Sequence, residues 1–320
     1  MHFATASTGD TVEKVILSAG DLTVHILTWG ATVQDVRLRG VPHSLTLGSD
    51  EIADYEGTMC HHGSLIGPVA NRIGTARIKL DGMMYELERN QDGRIHLHSG
   101  VEAAHRRNWT IAEQSESHVT LTCALRDGAC GLPGNRVISV TYRIAAPVTL
   151  TMDISGTTDA TTVMNFANHS FWNLDGSDTW AGHTLQIHAD RYLPTDADNV
   201  PTGEIADVTD TPMDFRTPRK MDPATDHFDH NLCLSDTDQP LRDVVTLTGS
   251  SGLTLTMATT TPGLQIFDNR SPARPGRQAY EGLVFEAQHW PDAPNNPAFP
   301  SITLRPDETY TQKTTWTFSA

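Results

Sequence analysis

The sequence predicts an all-β protein, a large antiparallel β-sandwich or barrel, and three observations carry that prediction. Segments in which apolar and polar residues alternate with period two recur along the chain. Most of them end at Gly, Asp, Pro or Asn, the residues that close turns. No apolar stripe of helical period runs longer than a few turns, and there is no G-x-G-x-x-G, Walker A sequence or heptad run. A nucleotide-binding α/β fold is thereby disfavoured.

Taken in order, the strands are predicted over LTVHILTWG (22–30), ATVQDVRLRG (31–40), HVTLTCALRDG (118–128), RVISVTYRI (136–144), PVTLTMDISG (147–156), HTLQIHADRY (183–192) and LTLTMATTT (253–261). In each, alternate residues are apolar enough to cover a core while their neighbours face away. Between them, residues 194–226 are rich in Pro, Asp and Thr. That stretch is too polar for a core and is expected to form an irregular excursion. Internal repeats and low-complexity tracts are absent. A chain of 320 residues is long enough for two average domains, but all-β sandwiches of this length are often one, and residues 1–320 are read as a single domain.

Composition bounds the function. Hydrophobic residues make up 38% and charged residues 19%, an ordinary globular balance. The formal charge of −16 argues against nucleic acid and anionic membrane surfaces, because both need a basic footprint. A neutral small molecule is the better expectation for a ligand. The opening MHFATASTGDTVEK lacks a basic n-region and an apolar h-region, and no apolar run approaches the roughly 18 residues that span a bilayer. A soluble, cytoplasmic protein, monomeric or homodimeric, is therefore expected. Cys60, Cys123, Cys130 and Cys233 have no CxxC spacing and are read as free thiols.

Chemistry concentrates in GLVFEAQHWPDAPNNPAFPS at 282–301. Val284 and Glu286 share one strand face, and Leu283, Phe285 and Ala287 share the other. Glu286 thus sits on a partly buried element, where burial raises a carboxyl pKa toward the range useful to a general base. Gln288 falls on the same face. Three more segments embed polar chemistry in strand: GPVANRIGTARIKLDG (67–82) with Asn71 and Arg72, RIHLHSG (94–100) with His96 and His98, and NHSFWNL (168–174) with His169. Of the adjacent aromatics Phe171 and Trp172, only one can face a cleft; Trp172 is carried as a ligand-stacking candidate, and Phe267 as a residue of the rim.

Together with YLPTDADNVPTGEI (192–205), TPMDFR (211–216) and FDHNLCL (228–234), these segments resemble the aldose 1-epimerases, or galactose mutarotases, in order from about Trp29 to the C-terminal strand. The resemblance implies a large twisted antiparallel β-sandwich with the sugar site in an open cleft on one sheet. It also implies an isomerase that interconverts the α and β anomers of a free reducing sugar such as glucose or galactose, without cofactor or metal. The implied base is Glu286 and the implied acid His169. Asn71, Arg72, His98 and Asp229 would bind and orient the sugar. Histidine suits the acid because its ordinary pKa lies near neutrality, which supplies an imidazolium donor with little tuning.

Two departures from the family pattern stand out. Ser99 replaces a glycine after His98, which matters if that position needs a positive φ. Pro68 replaces an arginine before Val69, next to the Asn71–Arg72 pair. The His61–His62 doublet and the His96–His98 pair have the look of metal ligands, but no acidic third ligand sits at a suitable spacing. Two alternatives stay open on sequence. One is a hexose-6-phosphate epimerase-like enzyme, which needs clustered cations that the dispersed basic residues do not supply. The other is a non-catalytic sugar-binding protein, for which an acid and a base would be superfluous.

Overall fold

A computed structural model describes residues 1–319. Antiparallel sheet dominates, as the alternation predicts. The larger sheet has nine strands in the spatial order Thr110–Gln114, His118–Leu125, Arg136–Ala145, Thr149–Thr158, Tyr310–Ser319, Thr254–Thr259, Arg242–Thr248, Thr184–Ile187 and Arg219–Lys220. A second sheet orders six strands as Phe171–Trp172, Leu283–Gln288, Gly263–Phe267, Asp229–Cys233, Arg191–Leu193 and Ala206–Asp207. The four strands between His2 and Leu38 form a further meander. The one α-helix among the described residues is the five-residue turn Ile52–Glu56.

The two large sheets face each other, which decides for a sandwich. Leu264, Ile266, Leu283, Phe285 and Ala287 of the six-stranded sheet join one core with Leu255, Met257, Trp316 and Phe318 of the nine-stranded sheet. Each large side chain so buried contributes about 1.5–3 kcal/mol. That burial pins the register of Leu283–Gln288, because a slip by one residue would turn Phe285 outward and drive Glu286 into the core.

The opposite face of the six-stranded sheet is where the site lies. Asp229 pairs across from Phe267, Asn231 from Gln265, and Gln265 from Glu286, so these side chains share one surface. The predicted excursion at 194–226 holds only the two-residue strands Ala206–Asp207 and Arg219–Lys220. All four cysteines are free thiols, as their spacing suggests. No helix among the described residues is long and apolar enough to cross a membrane.

Candidate active site

Above that face opens a cleft with a cavity volume of about 380 Å³, within the range for small-molecule sites. Glu286, His169, Arg72, Asn71, His98, Asp229 and Phe267 all line it. Segments more than two hundred residues apart in sequence thus meet at one cavity.

Glu286 is held between two neighbours in its sheet, with Gln265 opposite on one side and Phe171–Trp172 continuing the other. Its side chain is 2% exposed, and its Oε2 has no hydrogen-bond partner among the described residues. Burial pushes its pKa up to about 8; the Asp229 carboxylate adds to the rise and the Arg72 guanidinium opposes it.

His169 reaches the cleft because its segment is zipped to the stretch before Asn71. Ala167 and Asn168 pair with Ile66 and Leu65, the Gly63 N–H donates to the His169 carbonyl, and the His169 N–H donates to the Ser64 carbonyl. The Asn168 side chain fastens the same joint by donating to the Gly63 carbonyl at 2.9 Å. Nε2 of His169 stands 3.6 Å from Oε1 of Glu286, too far for a direct hydrogen bond. The imidazolium expected of His169 is not what this environment favours. Burial, then the neighbouring His61 and His62, hold its pKa well below the ordinary value, because no counter-charge offsets the desolvation of a cation there. Glu286 and His169 therefore hold one proton between them in the open cleft, and it rests on the carboxyl.

Arg72 and Asp229 form a buried pair, Nη2 to Oδ2 at 3.2 Å. The Arg72 Nε donates to Gln91 Oε1 at 3.0 Å, and Gln265 Nε2 donates to Asp229 Oδ1 at 2.7 Å. Gln265, hidden in an otherwise apolar strand, escaped the sequence reading; its polar identity between Leu264 and Ile266 was the available signal. The Arg72 backbone is bracketed by the loop after Trp290: the Asp292 N–H donates to the Arg72 carbonyl, and the Gly74 N–H donates to Asp292 Oδ1.

His98 is oriented by a hydrogen bond from the Asn71 N–H to its Nδ1 at 3.0 Å. Its pKa lies well below the ordinary value, by burial and by the neighbouring histidines and Arg72, so the ring is neutral. With Nδ1 accepting, its proton sits on Nε2 as a donor. His61, His98 and His169 place ring nitrogens within 4.8 Å of one another. A cation at His98 Nε2 would have to displace that proton, so the trio suits hydroxyl oxygens better than a metal ion. His96 lies behind the wall, fully buried, its Nδ1 against the Glu88 carbonyl.

Backbone strain collects here. Asn71, His98 and Ser99 have φ of 63°, 51° and 64°. Ser99, which stands where the family pattern has glycine, does occupy the left-handed region, and its side chain compensates. Ser99 Oγ accepts the Val69 N–H at 2.7 Å and donates to the Val69 carbonyl at 3.1 Å, clamping the strand that leads to Asn71. Ser99→Ala leaves a buried N–H unpaired and should lower stability by about 1–3 kcal/mol, read as a shift in the urea midpoint. An unchanged midpoint would remove the clamp from this account.

Two sequence-predicted residues fall elsewhere. Trp172 points into the core, 6.0 Å from Trp316 and 5.8 Å from Phe318 between ring centroids, and cannot stack on a ligand in the cleft. Its neighbour Phe171 takes the outward face, stacked on His62 at 3.9 Å and edge-on to Phe267 at 6.4 Å. Gln288 shares Glu286's face but is fully buried and does not line the cavity. His61, Thr58, Asn269, Ser271, Pro272 and Ala273 line the cavity without having been predicted to do so. They lie in loops, whose placement no local periodicity encodes.

Comparison with known proteins identifies the family. The sequence profile of the family described as aldose 1-epimerase matches residues 13–317. The chain is 34% identical to the galactose mutarotase of Homo sapiens over 98% of its length and 96% of the relative's. It is 31% identical to the aldose 1-epimerase of Escherichia coli K12, covering 93% and 92% of the two chains. Among solved structures, it resembles an aldose epimerase homologue from C. elegans with a TM-score of 0.90 at 28% identity, covering 96% of this chain and 99% of that one. With a profile match over nearly the whole chain, full-length relatives and the same sandwich, this protein belongs to the aldose 1-epimerase family.

Proposed function

We propose that this chain interconverts the α and β anomers of a free monosaccharide, a hexose such as glucose or galactose, using side chains alone. The observation that carries the reading is the buried Glu286–His169 pair, 3.6 Å apart on one small cavity. Anomer exchange is reversible acid–base chemistry that needs such a pair. In ring opening, Glu286 takes the proton of the C1 hydroxyl, His169 gives one to the ring oxygen, and the C1–O5 bond breaks to leave an aldehyde. After rotation about C1–C2, the roles reverse and the ring closes on the other face.

The resting proton position fixes what substrate binding must do. A carboxylic acid beside a neutral imidazole is the state that follows opening and is ready for closure. To open a ring, the proton must first pass from Glu286 to His169. Hydrogen bonds from sugar hydroxyls to the carboxylate, with Arg72 close by, favour that transfer. Asp229 accepts from hydroxyls on the far side of the ring, and Phe171 with Phe267 gives an apolar wall for C–H bonds. The single guanidinium on the wall already pairs with Asp229, which suits a neutral sugar and leaves little for a phosphate dianion. Free thiols fit a reducing, cytoplasmic setting.

The test is polarimetry or NMR saturation transfer on freshly dissolved α-glucose, α-galactose and α-xylose, with wild type beside His169→Asn. Fast exchange, slowed about a hundred-fold or more in the variant, is expected. Failure of the wild type to accelerate exchange of any free sugar would overturn the proposal.

A further inference from the structure

Six side chains follow one another around the cavity. Asp229 pairs with Arg72, and Arg72 lies close enough to His98 to disfavour its protonation. His98 packs edge-on against His61 at 4.8 Å between ring centroids, and His61 lies 5.5 Å from His169. His169 faces Glu286, and Glu286 in turn feels the Asp229 carboxylate, which closes the circuit. Five of the six have a place in the reading above; His61 has none.

His61 is nonetheless built into the wall. The Ser64 hydroxyl donates to its carbonyl at 3.0 Å, and Gly63, two residues on, donates to the His169 carbonyl. His105 backs the ring edge-on at 5.2 Å. Among the described residues no hydrogen bond engages its imidazole, although it lines the cleft and is only partly exposed. Burial, then the charge of Arg106, brings its pKa down to about 4, so near neutral pH the ring offers one N–H donor and one lone pair. That pattern matches a hydroxyl, which also gives one and accepts one.

Its place in the circuit says which hydroxyl. On the proposed function, on which this inference rests, Glu286 serves the C1 oxygen and His169 the ring oxygen O5. The next atom around a pyranose after O5 is C5; of the two histidines beside His169, His61 at 5.5 Å and His98 at 5.6 Å, His98 stands by Arg72 and its Asp229 partner on the hydroxyl-binding side, which leaves His61 for the C5 side. We propose that His61 is a specificity-determining substrate contact, hydrogen-bonded to the exocyclic hydroxymethyl group on C5, so that the enzyme favours hexoses over pentoses.

Glucose and xylose differ only in that group, which makes them the probes. kcat/KM for anomer exchange is measured on both, for wild type, His61→Phe, His61→Ala and His61→Gln. Phe and Ala should each lower the glucose-to-xylose ratio of kcat/KM by about tenfold, the effect of one neutral hydrogen bond, chiefly through KM for glucose. Gln, which keeps a donor and an acceptor, should restore part of the ratio. Two deletions of different bulk guard against misfolding of either one, checked by thermal melting. An unchanged ratio in the Phe and Ala variants, with the wild type active on both sugars, overturns this inference alone. Wild type inactive on every sugar overturns the proposed function and this contact with it.

Discussion

Glu286→Gln should do two opposite things: reduce anomer exchange by at least about a hundred-fold, and stabilise the folded protein above neutral pH. On the proposed function, loss of activity follows from removing the carboxyl that exchanges a proton with the C1 hydroxyl opposite His169. The gain in stability follows from linkage. In the unfolded chain Glu286 titrates near its ordinary value of 4.5, whereas in the folded cleft it titrates at about 8. Between those values the unfolded state has released the proton and the folded state still holds it. Folding then takes up a proton, and stability falls as pH rises through that window. Glutamine does not titrate and escapes the penalty. Urea midpoints should therefore coincide for the two proteins near pH 4.5 and diverge toward pH 8, by on the order of a few kcal/mol. Parallel stability curves would show that Glu286 is not held protonated in the folded protein.

The second large effect uses the Arg72–Asp229 pair as an electrostatic control on the same carboxyl. Asp229 raises the Glu286 pKa and Arg72 lowers it. Either substitution, Asp229→Asn or Arg72→Ala, should lower kcat/KM by about a hundred-fold, since both remove hydrogen bonds that orient the sugar. Their pH profiles should separate. Opening needs the pair's one proton, passed from Glu286 to His169, so the rate falls as pH rises through the Glu286 titration and strips that proton away. Asp229→Asn removes a negative neighbour, lowers the pKa and moves that fall to lower pH. Arg72→Ala removes a positive neighbour and moves it to higher pH. A general loss of structure could not shift the two in opposite directions, and profiles that moved together would refute the electrostatic account.

The sequence was informative wherever a local rule sufficed. Period-two alternation assigned Glu286 to the face opposite Phe285, and the sheet holds it there because Phe285 is locked in the core. Motif order singled out Asn71, Arg72, His98, His169 and Asp229, and the fold brings all five to one cavity. The same alternation said that Phe171 and Trp172 face opposite ways but not which way. Only the pairing of Trp172 with Leu283 and of Phe171 with Val284 chose, by turning Trp172 toward Trp316. Gln288 shows the converse limit: sharing a strand face with Glu286 did not bring it to the cavity, because a strand face says nothing of how far along the strand a cleft extends.

By itself, then, the sequence determined the strand architecture and the family and singled out Glu286 and His169 as the candidate acid–base pair, because those rest on alternation and on residue types at fixed spacing. The tertiary structure alone decided the charge state of that pair and the membership of His61, Gln265 and Phe171 in the site. The physical reason is that a pKa depends on everything near a group in space. The depressed histidines draw on segments around residues 61, 98, 105 and 169, which touch only after the strand at Leu65–Ile66 has paired with Ala167–Asn168.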